Sequence, residues 1–424
     1  MGNLPLYLES RDVVSEVLAN KETNYARKQS IMTVDKSRAQ GLAQWSKEKL
    51  EKKRALARAA KEEVISNLGF YVDKAMRALE AFACDVYLVK TLKEAQKIVE
   101  EIVGEGKLIV KSKSTVGKEM KLTEILETKG NRVVETDLGD RLVQLDGNPP
   151  SHALAPALHL PLKRIAELLR VETGIVVDPA PKAIVEAARG KIRDMVIQAD
   201  LGITGANFIA AEEGIVGICT NEGNARLVSS LPEEHLVVTG INKLIPSLEQ
   251  APAIIELIGL FGLGMPSTCY TSLISGPSRT GDIQMQVVLG MHGPKKVHVL
   301  LLDNKRSDAI GTPLEEALFC LNCGACADVC PAYMAIGSRF GDLLFGAIGP
   351  IWASIQHSIE KAVQAGLYFC TLCGKCAEFC PVKIDLPKIL IYLRGQALRE
   401  NLVPPPLEER SERVKTTGNV FGGL

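Results

Sequence analysis

The chain has 424 residues, and its 50 lysines and arginines balance its 50 aspartates and glutamates. This length predicts about two to three domains. Because 46% of the residues are hydrophobic, the chain can bury a large core, which excludes a disordered or fibrous protein. The zero net charge and the 5% share of aromatic residues give no reason to expect a nucleic acid as partner.

The first residues lack the basic and then apolar pattern of a signal peptide, so a cytoplasmic protein in a reducing compartment is expected. Two uncharged stretches, 257–278 and 343–359, contain glycine, proline and polar residues. They are predicted to be buried helix and loop, and no membrane span is expected.

The N-terminal region, residues 1–68, is predicted to be a helical arm. Between residues 35 and 67 the sequence is rich in Lys, Arg, Glu and Ala, with thinly spaced apolar residues. This pattern indicates one or two exposed helices. The arm is expected to be either solvated or a binding site for a partner.

Residues 69–302 are predicted to form an α/β domain, because helical runs alternate with short β-branched runs. Such alternation indicates βαβ units and a mostly parallel sheet with helices on both faces. The predicted helices are 73–83, 92–105, 118–129, 161–169 and 248–261. The predicted strands are 86–89, 108–110, 132–135, 215–219, 236–239, 283–289 and 297–302.

The C-terminal part is divided in three. Residues 303–313 are polar and rich in turn residues, which indicates a linker. Residues 314–403 are predicted to be a small helical module that carries most of the cysteines. Residues 404–424 begin with three prolines and are predicted to be a short polar tail, either extended or mobile.

Two cysteine motifs stand 50 residues apart in the helical module. Each has the pattern C-x2-C-x2-C-x3-C-P, with cysteines at 320, 323, 326 and 330 in the first motif and 370, 373, 376 and 380 in the second. This pattern is that of bacterial ferredoxins with two [4Fe–4S] clusters, in which the fourth cysteine of each run binds the other cluster. Gly324 and Gly374 are expected to let the loops turn tightly.

The crossed pattern predicts two ligand sets, which serve as both the metal-binding and the cofactor-binding residues. The first set is Cys320, Cys323, Cys326 and Cys380, and the second is Cys370, Cys373, Cys376 and Cys330. Zinc needs only four ligands, and disulfides do not fit a cytosolic chain. The predicted cofactors are therefore two [4Fe–4S] clusters.

Other residues near and outside the motifs lead to two smaller predictions. Lys375 in the second motif has Ala325 as its counterpart in the first. A cation near a cluster favours its more negative, reduced state, so the cluster held by the second ligand set is expected to have the higher reduction potential if Lys375 lies near it. The alternative is that Lys375 points into water and is screened. Cys84, Cys219 and Cys269 are isolated and are predicted to be buried, inert thiols.

Six further segments, followed by the two cysteine motifs, resemble the lactate utilization protein B family. They are SKSTV at 112–116, ETDLGD at 135–140, PSH at 150–152, GITGAN at 202–207, NEGNAR at 221–226 and SGPS at 275–278. The resemblance implies a LUD domain, NagB/RpiA/CoA-transferase-like in fold with a mostly parallel sheet, fused to a small helical dicluster ferredoxin-like domain. It further implies a role in multi-subunit oxidation of L-lactate, with electrons passing among iron–sulfur partners.

Glycine-rich loops in the LUD region offer backbone N–H groups to an anion or a nucleotide. Candidate polar residues for such a pocket are Lys111, Lys113, Glu135, Asp137, His152, Glu213 and Arg226. The same loops are also ordinary βα connections, and His152 can equally be a loop cap. No catalytic residue is assigned.

The favoured function is an electron-transfer subunit of a cytoplasmic oxidoreductase complex, with lactate utilization as the leading pathway. Its expected partners are other iron–sulfur or flavoprotein subunits, since the sequence has no flavin or nicotinamide motif and lactate oxidation moves two electrons. One alternative is a relay in a different flavin- or hydrogenase-linked complex. Another is an enzyme whose LUD pocket acts on a phosphorylated or CoA-linked substrate.

Overall fold

The fold is described here from a computed structural model, which covers residues 14–15, 17–152 and 155–419. The predictions for the first 13 residues and for the last five therefore lie outside the described residues.

Strands occur only in the middle of the described chain. In chain order they are β1 (Cys84–Val89), β2 (Leu108–Lys111), β3 (Arg132–Glu135), β4 (Leu201–Thr204), β5 (Phe208–Ala210), β6 (Ile215–Thr220), β7 (Glu234–Gly240), β8 (Leu244–Ile245), β9 (Tyr270–Ile274), β10 (Arg279–Ile283), β11 (Gln286–Leu289) and β12 (Lys296–Leu302).

Helices occur along the whole described chain. In chain order they are α1 (Lys21–Ala43), α2 (Lys47–Ser66), α3 (Leu68–Ala81), α4 (Leu92–Val103), α5 (Thr115–Glu119), α6 (Leu122–Glu127), α7 (Leu138–Asp146), α8 (Leu162–Thr173), α9 (Pro181–Ile197), α10 (Asn224–Ser230), α11 (Ala251–Leu263), α12 (Ala325–Asp328), α13 (Pro331–Ile336), α14 (Ile348–Gln356), α15 (Ile359–Gln364), α16 (Lys375–Glu378), α17 (Leu386–Arg399) and α18 (Pro405–Thr417).

The main sheet has six parallel strands in the order β1-β12-β7-β4-β2-β3. β4 is buried along its whole length, and so are β7 and β12 beyond their first residues, as expected for a parallel sheet with helices on both faces. The predicted α/β class and the mostly parallel sheet are confirmed. The sequence pattern missed β4, whose Leu-Gly-Ile-Thr sequence is too short to show a period.

A second sheet has the order β8-β5-β6-β9, and its strands β5 and β6 share a hydrophobic core with β7 and β12. The strand predicted at 283–289 is confirmed over 286–289, which is β11, but it is interrupted: Gln284 and Met285 have φ of 54° and 58° and form the turn of a β10–β11 hairpin. The hairpin exposes several large apolar side chains, among them Ile283, Met285 and Val287.

The N-terminal helices are packed into the molecule, so the expectation of a solvated arm is wrong for the described part. Arg38 is 1% exposed and Lys61 is 2% exposed. These two buried charges donate to backbone carbonyls of other segments, Arg38 to Phe261 O and Lys61 to Asn242 O, so each is satisfied without water.

The predicted linker and the predicted tail are both more ordered than the sequence pattern indicated. In the predicted linker, Arg306 is 2% exposed and its guanidinium binds the Glu119 carboxylate at 2.6 Å, so this segment is fixed to the LUD region. The tail is helical over Pro405–Thr417 and not extended. Proline in the first helical turn is compatible with a helix, because the N–H that it lacks would have no partner there.

The second uncharged stretch, 343–359, is largely buried, as predicted, but the first, 257–278, is buried mainly up to residue 262. Its remaining residues are mostly exposed or half-buried and include strand β9. Helix α11 and helix α14 lie inside the fold, with most of their residues inaccessible to water. Among the described residues, no helix is both long and apolar enough to cross a membrane.

Candidate iron–sulfur centre and adjoining cavity

The two cysteine motifs have the same local geometry. Gly324 and Gly374 have φ of 77° and 82°, the left-handed conformation that glycine tolerates best, and each precedes a one-turn helix. In the first motif the backbone N–H of Asn322 lies 3.4 Å from Cys320 Sγ. In the second motif the N–H of Leu372 lies 3.3 Å from Cys370 Sγ. Backbone donors therefore point at the first sulfur of each motif.

Four cysteines of the first predicted set line one small cavity. They are Cys320, Cys323 and Cys326 from the first motif and Cys380 from the second. The rest of the wall is largely apolar and includes Phe345, Ile348, Val382, Ile384 and Leu386.

The electrostatics of these thiols show the same grouping. Burial raises the pKa of Cys323 to about 12, and the nearby Cys320 and Cys380 add to this effect. Burial also raises the pKa of Cys380 to about 11, again with a contribution from Cys320. The last cysteine of the second motif thus lies among cysteines of the first.

The other four cysteines form a second group. Burial raises the pKa of Cys376 to about 12, followed by contributions from Cys370, Cys330 and Cys373. The pKa of Cys330 is raised by burial too, and Cys370 and Cys373 reinforce the shift. Cys373 itself is exposed, so the second group approaches the surface.

The donor chemistry of both groups fits an iron–sulfur cluster. Thiolates are costly in such buried surroundings unless a metal supplies compensating positive charge. Within 14–15, 17–152 and 155–419, no three His, Cys, Asp or Glu side chains converge on one metal ion. Thiolates around a cubane stand further apart than ligands of a single zinc ion.

Three cations lie near the first group, the buried Lys61 and Lys243 and the half-buried Arg54, and the sequence pattern did not indicate them. Lys243 Nζ donates to Cys320 O at 3.0 Å, and Arg54 donates to Cys380 O at 2.6 Å. Lys61 Nζ donates to the carbonyls of Asn242 and Leu244. These residues are far apart in sequence from the motifs, so no local pattern identifies them.

Burial weakens the two lysines as cations, and the cysteines partly restore them. Desolvation lowers the pKa of Lys243 to about 8, against the opposing effect of Cys320. Desolvation likewise lowers the pKa of Lys61 to about 7. By contrast, Lys375 in the second motif is exposed, which agrees with the alternative that water screens its charge. The cation that contacts the second motif is Arg394, which donates to Cys370 O at 2.6 Å.

A buried polar cluster joins the N-terminal helices, the LUD region and the cysteine module. The Asp328 carboxylate, between two cysteines of the first motif, lies 2.5 Å from Arg38 Nη2 and 2.9 Å from His152 Nε2. Although burial opposes it, these partners hold the pKa of Asp328 below its ordinary value. His152 Nδ1 accepts from the Ala155 N–H at 3.1 Å, so His152 caps a loop, one of its two sequence interpretations.

A cavity of about 1700 Å³ lies at the carboxyl ends of β2, β3, β4 and β7. Five of the candidate residues line it: Lys111, whose Nζ lies 2.5 Å from Glu135 Oε1; Lys113, whose Nζ lies 3.1 Å from Asp137 Oδ2; and His152. Glu222 joins them there; burial first, and then Asp137, raise its pKa to about 7.

Two candidates do not belong to this cavity. The Glu213 carboxylate accepts from the Leu248 N–H at 3.0 Å and caps the segment before α11. The Arg226 guanidinium lies over the Tyr270 ring at 5.9 Å.

The prediction of three buried thiols is confirmed for Cys84, where burial raises the pKa to about 11. It is wrong for Cys269, which is exposed.

Comparison with known proteins identifies both parts of the chain. Residues 72–302 match the LUD domain, and residues 316–384 match the 4Fe-4S dicluster domain. The second match confirms the predicted cofactors, two [4Fe–4S] clusters in the region of the two motifs.

Curated relatives extend the match over most of the chain. Lactate utilization protein B of Bacillus subtilis (strain 168) is 35% identical over 74% of this chain and 64% of its own length, so this chain spans less than two thirds of that relative. The proteins of the same name from Shouchella clausii (strain KSM-K16) and Geobacillus sp. (strain WCH70) are 33% and 34% identical over 80% and 88% of this chain, and over 71% and 76% of their own lengths.

One solved structure also aligns with the chain. A DUF162 family protein from Deinococcus radiodurans covers 55% of this chain and 97% of its own, at 11% identity and a TM-score of 0.30.

Proposed function

The chain belongs to the lactate utilization protein B family, and we propose that it is an electron-relay subunit of a cytoplasmic oxidoreductase complex for L-lactate. In this role it passes single electrons between its two clusters and exchanges them with partner subunits. Those partners are other iron–sulfur proteins or flavoproteins, because lactate oxidation moves two electrons and needs a group that accepts both.

One observation supports the relay above all: each cysteine motif contributes its last cysteine to the group formed by the other motif. We therefore assign Cys320, Cys323, Cys326 and Cys380 to cluster one. Cys330, Cys370, Cys373 and Cys376 are assigned to cluster two. Crossed ligands keep two clusters close, which is what transfer between them requires.

The protein residues around the clusters perform defined tasks. A bound [4Fe–4S] cluster supplies reversible one-electron chemistry. Apolar side chains such as Ile348 and Leu386 exclude water from the first group. Lys243 and Arg54 place positive charge beside its cysteine backbone. The exposed Cys373 marks the side of cluster two on which a protein partner can come near.

Anaerobic purification of the native complex tests this proposal. The expected preparation has roughly eight irons per chain, and mass spectrometry of the co-purifying subunits finds a lactate-oxidising flavoprotein or iron–sulfur subunit. Addition of L-lactate is expected to reduce the clusters, followed by electron paramagnetic resonance.

Two results would contradict the proposal in different ways. About four irons or fewer per chain, or zinc in their place, would remove the relay. A full set of clusters with subunits of a flavin- or hydrogenase-linked complex, and no reduction by lactate, would keep the relay and exclude lactate as its electron source.

A further inference from the structure

The β10–β11 hairpin, residues 279–289, stands apart from the two larger sheets. It forms a two-stranded sheet of its own, and among the described residues no further strand pairs with either of its edges. All four residues of β11 are exposed. Because successive side chains of a strand point to opposite faces, both faces of β11 are open to solvent. This strand therefore does not cover the body of the protein.

The exposed surface of the hairpin is largely apolar. Six large apolar side chains at its tip and along β11 have 41% to 90% of their surface exposed: Ile283, Met285, Val287, Val288, Leu289 and Met291. None of them belongs to the hydrophobic clusters that the described residues form. Single exposed apolar side chains are ordinary, whereas a contiguous group of this size marks an interaction site on a soluble protein.

The outer edge of the hairpin is β11, and it lacks the features that usually keep a strand edge from pairing. The inner strand is β10, whose Arg279 guanidinium donates to Phe82 O at 3.0 Å. Protected edges carry charged residues, proline or a bulge. The sequence of β11 is Gln-Val-Val-Leu, and the irregularity of the hairpin lies on β10, between Thr280 and Ile283. The free edge of β11 can therefore accept another strand.

Charge and side-chain chemistry favour a second copy of this chain as the occupant of that edge. Residues 283–291 include no Asp, Glu, Lys or Arg, so no like charges meet when the segment faces itself. The side-chain amides of Gln284 and Gln286 both donate and accept hydrogen bonds, so they are compatible with their own counterparts. A strand with an acidic or basic edge would instead select a partner of the opposite charge.

The surface is also large enough for a dimer. The six apolar side chains expose roughly 700 Å² in each copy, which is close to the ~800 Å² that each partner contributes to a standard stable interface. Enough apolar surface is therefore available when the two hairpins pair along their whole length.

We propose that two copies of this chain form a symmetric dimer by pairing their β11 strands antiparallel along the free edge. The two hairpins then become one four-stranded antiparallel sheet. A two-fold axis perpendicular to this sheet keeps each side chain on its own face, so Val287 and Leu289 of one copy meet the same residues of the other. The inference does not depend on the electron-relay role, and it implies two pairs of clusters in each assembly.

Sedimentation equilibrium of the anaerobically purified, full-length holoprotein tests the dimer. The expected mass at about 20 μM protein is twice the chain mass of 45.9 kDa, because interfaces of this size have dissociation constants in the micromolar range or below. Hydrogen exchange followed by mass spectrometry should show slower exchange of residues 284–291 at high protein concentration than at low concentration.

Charge substitutions at Val287 test the antiparallel pairing, since the two-fold axis brings this residue close to its counterpart. Val287→Lys and Val287→Glu are each expected to raise the dissociation constant of the dimer by about tenfold or more. A one-to-one mixture of the two variants is expected to restore the dimer, because opposite charges then face each other. Val176→Lys, at a valine that is 86% exposed outside the hairpin, is the matched control and should leave the dimer intact.

Iron content separates a lost interface from a lost fold. Both Val287 variants should keep the iron content of the unmodified chain, because this residue is exposed and lies outside the cysteine module. The inference is overturned if the unmodified holoprotein sediments as a single chain up to about 100 μM, if Val287→Lys dimerises as tightly as Val176→Lys, or if the mixture of the two Val287 variants stays monomeric. A monomer with a full set of clusters would leave the proposed relay unaffected.

Discussion

At the scale of single residues, charge is distributed unevenly between the two cysteine groups. Lys61 and Lys243 are buried beside the first group, whereas the motif lysine Lys375 is exposed. A buried charge is screened far less than an exposed one. The cation that matters for potential is therefore expected to come from outside the motifs.

Replacing Lys243 is expected to lower the potential of cluster one, because a nearby cation stabilises the more negative reduced cluster. With a pKa of about 8, this lysine is mostly protonated at pH 7. Lys243→Met should lower one potential by roughly 60 mV, equivalent to about 1.4 kcal/mol for one electron, in a redox titration followed by electron paramagnetic resonance. Lys375→Met is the control and should shift neither potential by a comparable amount.

Lys243→Met can also test the crossed ligand assignment, because only the potential of cluster one is expected to respond to it. Cys330→Ala is expected to remove cluster two and leave cluster one intact. Combining Cys330→Ala with Lys243→Met should therefore shift the single remaining potential downward. If that potential is insensitive to Lys243, Cys330 belongs to cluster one and the assignment fails.

At the scale of elements, α1 and α2 hold the LUD region and the cysteine module together. Arg38 on α1 binds the Phe261 carbonyl at 2.7 Å and the Asp328 carboxylate at 2.5 Å. Arg54 on α2 binds the Cys380 carbonyl. These contacts span more than two hundred residues of sequence and fix both parts of the chain to one pair of helices.

Removing Arg38 should destabilise the protein strongly, because it leaves the Asp328 carboxylate buried with one partner fewer. Arg38→Met is expected to cost about 3–5 kcal/mol in the free energy of unfolding, measured by urea denaturation under anaerobic conditions. Lys36→Met, two residues away on the opposite, exposed side of the helix, should change it by less than about 0.5 kcal/mol. Equal unfolding midpoints for the two variants would show that the buried ion pair does not stabilise the fold.

At the scale of the whole molecule, the N-terminal helices are packed into the fold, whereas the last helix of the described chain lies on its surface. Helix α18 buries none of its residues, whereas α2 alone buries five, among them Val64 and Ile65. The N-terminal helices are thus part of the body that encloses the first cysteine group, and the last helix is not.

Truncation at each end checks this difference. Deleting residues 1–66 is expected to lose most of the iron bound per chain, because the apolar and arginine contacts on the first group disappear. Deleting residues 404–424 should leave iron content and both potentials unchanged. Retention of a full set of clusters by the N-terminal deletion would contradict the role given to α1 and α2.

The sequence by itself determined the local features. It predicted the parallel sheet, the two cysteine motifs and the cofactors, because strand periods and C-x2-C spacings depend only on neighbours along the chain. It also predicted the turns at Gly324 and Gly374, whose conformations follow from having no side chain.

Only the tertiary structure decided which distant residues meet. The charges of the N-terminal helices looked solvated, yet Arg38 and Lys61 are buried because backbone carbonyls of remote segments satisfy them. The cavity between the sheet and the first cysteine group is likewise formed by loops from five or more parts of the chain. Hydrogen bonds and burial depend on distance in space, and no pattern among adjacent residues encodes that distance.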